Sequence, residues 1–250
     1  MTTTITPQIV ILNTTVTPAP VPSQLQQSGA VVSAGGTTLA AGTYQYIGLE
    51  SQLTSILAAP LALTTLSWSG GTVTATTTAN LELTTGQTFT TTIAGAVPAA
   101  YNGTYVATVT SVDTFTFALA ANPGSETSPG TYTPPYSAFL QNAANSFFAQ
   151  SSGNGSPIGF YVLELGPETT ASAAITALSS WIVANSSAPQ LFYAYLTPAS
   201  WDSAALNTLA ESYSSPTGQT YFFVTTTAAN LATFYAGNKA VFATVTSPTA

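Results

Sequence analysis

The 250-residue chain contains no cysteine and no histidine, and Lys239 is its only cation. The lack of cysteine excludes disulfides and leaves the redox compartment undetermined. The lack of both residue types closes the Ser-His-Asp and Cys-His routes to nucleophilic catalysis. Charged residues make up 4% of the chain, against about 25% in a typical domain. The eight acids, Glu50, Glu82, Asp113, Glu126, Glu164, Glu168, Asp202 and Glu211, leave a net charge of -7. One cation cannot neutralise a row of phosphates, so nucleic acid is excluded as a partner and anionic membrane surfaces are disfavoured. No apolar run approaches the roughly 18 residues of a spanning helix. The start, "MTTTITPQIVILNTT", lacks a cationic segment and reads as an extended arm, not a signal peptide. Without His or Cys, no side chain of ordinary pKa titrates between about pH 5 and about pH 9, so a flat stability profile is expected there.

What is present is enough for a core. The hydrophobic share is 45%, ordinary for a folded protein, and Thr, Ser and Asn carry the polarity that charge usually supplies. Residues 1–48 read as an extended arm with short strands, including the Pro-rich "TPAPVPSQ" and then "GAVVSAGG". Leu49, Leu53, Ile56 and Leu57 fall at helical spacing and predict a short helix over 50–58. From 61 to 133 the period is two. Val73, Ala75 and Thr77 alternate, as do Phe89, Thr91 and Ile93, and strands are expected near 104–110 and 114–120. Asn102-Gly103 is a pair suited to a tight turn with positive φ. These strands predict a small β-sandwich or barrel.

From 137 the period shifts to 3.6, with Phe139, Leu140, Ala143, Phe147 and Phe148 on one stripe. Strands at 159–165, 190–196, 219–225 and 239–246 then alternate with helices at 169–185, 198–213 and 228–237. Thr169 or Thr170 can cap the first of these helices, and Gly237 would stop the last. Near-continuous apolar strands in such an alternation predict a mostly parallel sheet flanked by helices. The expected fold class is therefore α/β, built from 49–60 and 134–250, with an inserted all-β sandwich or barrel over 61–133.

Few constellations for chemistry remain. Glu164 and Glu168 flank "LGP" at the carboxyl end of a strand, where open α/β sheets bind ligands, and Asp202 follows another strand. Two such acids about 5 Å apart would suit a retaining glycosidase. The same acids also serve helix starts, Glu168 before one helix and Asp202 in the first turn of the next. No dense Asp/Asn/Glu loop points to a metal, and no Gly-rich segment has the form of a phosphate-binding loop. Lys239 opens a predicted strand, where a solvated end or a carboxylate partner is expected. Trp68, Trp181 and Trp201 could form a carbohydrate platform, although Trp181 and Trp201 lie beside apolar neighbours as core residues do. The residues thus name no catalytic group, no cofactor and no metal ligand.

Several segments carry a resemblance. "NSFFAQSSGNGSPIGFYVLELG", "LFYAYLTPASWD", "YFFVTTT" and "GNKAVFATV", in this order from about residue 45 to 250, resemble the sheath-like proteins of contractile phage tails. The stretch "TTGQTFTTTIAGAVPAAYNGTYVATVTSVDTFTFALAANPGS" is similar to a small β module of phage virion proteins. The resemblance implies a structural virion subunit, not an enzyme, that assembles with copies of itself around a tail tube protein. It also implies an extended arm that adds a strand to a neighbour's sheet, for which residues 5–12 match, with Ile5, Ile9, Val10, Ile11 and Leu12 as the linking residues. Such a subunit would assemble in the host cytoplasm and reside in the virion. Sheath proteins usually continue well past "KAVFATV", whereas this chain stops at Ala250, as a fragment or a shortened relative would; no residue is assigned to the tube. A secreted Thr-rich surface or adhesive protein is the alternative.

Overall fold

The computed structural model describes residues 29–150, 159–168, 170–185, 192–213 and 220–245. The chain opens with β1 (Gly29–Ser33), β2 (Thr43–Ile47) and a one-turn helix α1 (Glu50–Thr54). Six strands follow: β3 (Leu61–Ser69), β4 (Thr72–Thr77), β5 (Thr88–Ala94), β6 (Gly103–Ser111), β7 (Thr114–Ala118) and β8 (Thr131–Tyr132). Then come α2 (Pro135–Phe148), β9 (Phe160–Glu164), α3 (Ala171–Ala184), β10 (Ala194–Leu196), α4 (Ala204–Glu211), β11 (Tyr221–Thr226), α5 (Ala228–Phe234) and β12 (Val241–Val245).

Six of these strands form one sheet in the order β12-β11-β10-β1-β9-β2. All neighbours are parallel except β2, which runs antiparallel to β9. The sheet is mixed and mostly parallel, as the strand–helix alternation predicts. β1 lies at its centre. Its side chains divide between two cores: Ala30 and Val32 join α3 and α4 on one face, while Val31 joins α1 and α2 on the other. β9 alternates in the same way, with Leu163 on the first face and Phe160 and Val162 on the second. Burial on both faces is why these strands read as continuous apolar runs.

The other six strands close into a barrel, β3-β4-β7-β6-β5-β8. Its interior holds Val73, Ala75, Phe89, Ile93, Val109, Phe115, Phe117 and Tyr132, the inward half of the two-residue period. Two inward threonines are satisfied locally. The Thr77 hydroxyl donates to the carbonyls of Ala79 (2.6 Å) and Asp113 (2.9 Å), and that of Thr91 to Thr133 (2.9 Å). Outward threonines pair across strands, as Thr92 does with Thr104 at 2.9 Å.

Several expectations are corrected. Residues 29–47, grouped by sequence with the arm, supply the central strand and an edge strand of the sheet. The helix expected over 50–58 stops at Thr54, because the next backbone groups bond to the loop after β1: Thr38 N–H donates to Ile56 and Ala58 N–H to Gly36. Leu49, the residue before α1, is exposed rather than packed. Asn102-Gly103 makes no two-residue turn. A 3-10 turn, Ala99–Tyr101, precedes it, and the Asn102 side chain instead ties both backbone groups of Ala96. The helix expected at 198–213 begins only at Ala204, since the Ser203 hydroxyl caps it and Trp201 belongs to a separate 3-10 turn, Ala199–Trp201. Thr170 caps α3 by accepting from Ala173 N–H at 3.1 Å. The last helix ends at Phe234, three residues before Gly237, which takes a positive φ in the following turn. Residues 5–12, with Ile5, Ile9, Val10, Ile11 and Leu12, lie outside the described residues.

Candidate functional site

The strand order reverses about β1: the chain passes from β1 to β9 on one side, then crosses to β10 on the other. Loops at the carboxyl ends of strands flanking such a point are where open α/β sheets present ligand-binding groups. Here the loops after β1 (34–37), β9 (165–168) and β10 (197–203) meet the start of α2 and one loop of the barrel, residues 78–87.

Glu164, the last residue of β9, organises this edge. It is 1% exposed. Its Oε1 accepts from Gly35 N–H (2.6 Å) and Gly166 N–H (2.8 Å), and its Oε2 from the Thr37 N–H (3.1 Å) and hydroxyl (2.8 Å). Four donors to one buried carboxylate tie the loop after β1 to the end of β9. Each charge-assisted bond of this kind is stronger than its neutral counterpart. Gly36 is required beside it, because a Cβ there would meet the Ser33 hydroxyl at 2.7 Å and Tyr136 at 2.8 Å. The Ser137 hydroxyl donates to Gly36 O (3.0 Å), drawing α2 onto the same loop, and Trp201 Nε1 donates to the Tyr136 hydroxyl at 3.1 Å.

The barrel reaches this edge at two points. Gln87 Nε2 donates to Ser200 O at 2.7 Å. Glu82, the only described non-glycine residue with positive φ (59°), lays its carboxyl over Gly35, with Oε2 3.7 Å from where a Gly35 Cβ would stand. Burial first, then the charges of Glu164 and Glu168, push Glu82 from an ordinary 4.5 up to about 7. This corrects the expectation of no titration between about pH 5 and about pH 9, which held only for groups of ordinary pKa. Burial likewise pushes the hydroxyls of Tyr132 and Tyr136 up to about 12, with the charge of Glu82 adding to both.

Two clefts flank the junction. One of about 220 Å³ is lined by Phe89, Thr90, Tyr136, Phe139, Asn142 and Ser200. A wider one of about 560 Å³ runs between β5 and α2, past Thr92, Thr104, Gln141 and Asn145. Both present hydroxyl and amide groups, and the first adds the rings of Phe89, Tyr136 and Phe139, so they suit neutral hydrogen-bonding contacts with a polypeptide or a small uncharged ligand.

The acids singled out by sequence separate here. Glu164 and Glu168 both act on Glu82. Asp202 is engaged elsewhere, not in the first turn of a helix: its oxygens accept from the Thr226 hydroxyl (2.9 Å) and Asn230 Nδ2 (2.8 Å), joining β11 to α5. The three tryptophans form no common platform. Trp181 Nε1 donates to Gly42 O and Trp68 Nε1 to Leu119 O, while Trp201 is fully buried. Lys239 is exposed, two residues before β12, at the amino end of the sheet and far from these acids in strand direction. Among the described residues no group of three or more acids is arranged to hold a metal ion, and no helix is long and apolar enough to cross a membrane. Sequence reasoning did not reach Glu82, Gly35, Thr37 or Tyr136. The one local signal for Glu82 is an acid between two leucines, "NLEL", where alternation turns the acid away from the barrel core that buries Leu81. Comparison with known proteins yields no match, whether to a family model, to a curated protein or to a solved structure.

Proposed function

We propose that the chain is a structural subunit of a contractile phage tail sheath, without catalytic activity, in which 61–133 is an inserted β domain and 49–60 with 134–250 forms the α/β body. The order of the sheath-like segments is the starting support. The structural observation that carries the reading furthest is an uncovered aromatic strip at one end of the sheet. α1 and α2 cover only the β1–β9–β2 half of their face. On the other half Tyr221, Phe223 and Phe242 are 37%, 42% and 51% exposed, with the Phe223 and Phe242 rings stacked at 5.3 Å. A solvent-facing apolar strip beside the edge strand β12 is the kind of surface that subunit contacts cover. In this reading the arm, with Ile5, Ile9, Val10, Ile11 and Leu12, adds a strand to a neighbour's sheet and the tail tube lies inside the assembled ring.

Negative-stain electron microscopy of the purified chain, beside the chain lacking residues 1–14, tests this. Rings, tubes or sheathed rods that vanish with the arm are expected. Dispersed monomers in both samples would favour the alternative, a surface or adhesive protein that uses the barrel and its neutral, Thr-rich exterior for binding.

A further inference from the structure

The junction between barrel and sheet contains two polar groups without a close hydrogen-bond partner among the described residues, one half-buried and one buried. Glu82 sits over Gly35 with every influence on its carboxyl opposing ionisation and no cation among them. The Tyr132 hydroxyl, at the start of the return to α2, is buried with no close hydrogen-bond partner among the described residues; the Thr77 hydroxyl lies nearest, its own proton directed to main-chain carbonyls. Both line one cavity of about 110 Å³, together with Gly35, Leu81, Pro135 and Tyr136. The donors that could have solvated Glu82 are held by Glu164, which takes Gly35, Thr37 and Gly166.

We infer that Glu82 is a proton-operated latch between the barrel and the carboxyl edge of the sheet: neutral, it keeps the loop 80–83 seated on Gly35, and ionised, it lifts that loop away. The groups facing it account for the direction. Glu164 from β9 and Glu168 from the following loop are negative, Tyr132 from β8 and Tyr136 from α2 are neutral hydroxyls, and the loop after β1 contributes no titratable side chain. An ionised Glu82 therefore meets two like charges and finds no compensating protein donor among the described residues. Lifting restores its hydration. Because the barrel also touches the sheet through Gln87 and Ser200, the latch changes the width of the junction without detaching the barrel.

Hydrogen exchange read at single amides, corrected for the intrinsic effect of pH, tests the latch on the full chain. Between about pH 5.5 and about pH 8 the Gly35, Thr37 and Gly166 amides should lose protection about tenfold, while those of Phe115 in the barrel and Leu163 in the sheet hold theirs. Glu82→Gln should keep the first three protected at both values. Equal losses in Glu82→Gln, or a loss spread evenly over the chain, would overturn the inference. Should that variant fail to fold, the carbon-13 shift of the Glu82 carboxyl in the unaltered chain decides. A midpoint near 7 supports the latch, and one at the ordinary glutamate value overturns it.

Discussion

At the scale of single residues, the two glutamates at the junction behave oppositely because their surroundings differ. Glu164 is buried with four donors around it, whereas Glu82 is half-buried beside two negative charges. Replacing Glu164 by Gln would turn an NH2 group toward donors already aimed at it. We expect Glu164→Gln to cost about 2–4 kcal/mol in urea unfolding. Glu82 has the reverse effect on stability. Its pKa in the folded chain lies above the unfolded value, so between about 4.5 and about 7 the folded state holds the extra proton. Stability is then greatest at the acid end of that window, falls as pH rises through it and levels off above. The fully buried limit would be about 3 kcal/mol, and partial exposure reduces this to about 1–2 kcal/mol. The melting temperature should accordingly drop by about 2–6 °C between pH 5 and pH 8. In Glu82→Gln it should stay level; a drop of equal size in that variant would assign the effect to other groups.

At the scale of elements, the close approaches matter more than intrinsic propensity. α2 rests on the loop after β1 through Gly36, and a methyl group there has no room on either side. Gly36→Ala should destabilise by about 1–3 kcal/mol, the usual range for overpacking, measurable by thermal or urea unfolding. In the barrel, Phe115 stands at the centre of the aromatic packing, edge-on to Phe89 and tilted against Phe117 and Tyr132. Phe115→Ala should cost about 3–5 kcal/mol. Element identity was largely legible in sequence: period two over 61–133 and period 3.6 after 137 both reflect which side of a local element is buried. Element ends were less so. α1 is short because Ile56 and Ala58 bond to Thr38 and Gly36, far earlier in the chain, and Trp201 leaves α4 because Ser203 offers a better cap than Pro198. Such competition between partners has no trace in a local pattern.

At the scale of the whole molecule, low charge and the aromatic strip bear on association. With 4% charged residues, contacts between copies gain little from ion pairs and should depend weakly on salt. Assembly, if followed by sedimentation, should change little between about 50 mM and about 500 mM salt. The double variant Phe223→Ser with Phe242→Lys should weaken assembly while costing the monomer only about 1–2 kcal/mol, since both side chains are half-exposed and lose chiefly their mutual stacking. Unaltered assembly in that variant would remove the strip from the proposed interface.

Composition and local periodicity were readable along the chain. The absent His and Cys close the Ser-His-Asp and Cys-His routes within this chain whatever the fold, and the two hydrophobic periods specify strands and helices because each follows from which neighbours along the chain share a face. Long-range packing, by contrast, places β1 centrally in the sheet, closes six strands on themselves and brings Glu82 beside Glu164, which is far from it in sequence. Strand order, closure and the pairing of distant acids are set by which long-range contacts bury the most apolar surface at once. The pKa of a glutamate follows from the burial and charge those contacts create, not from the residues beside it in the chain.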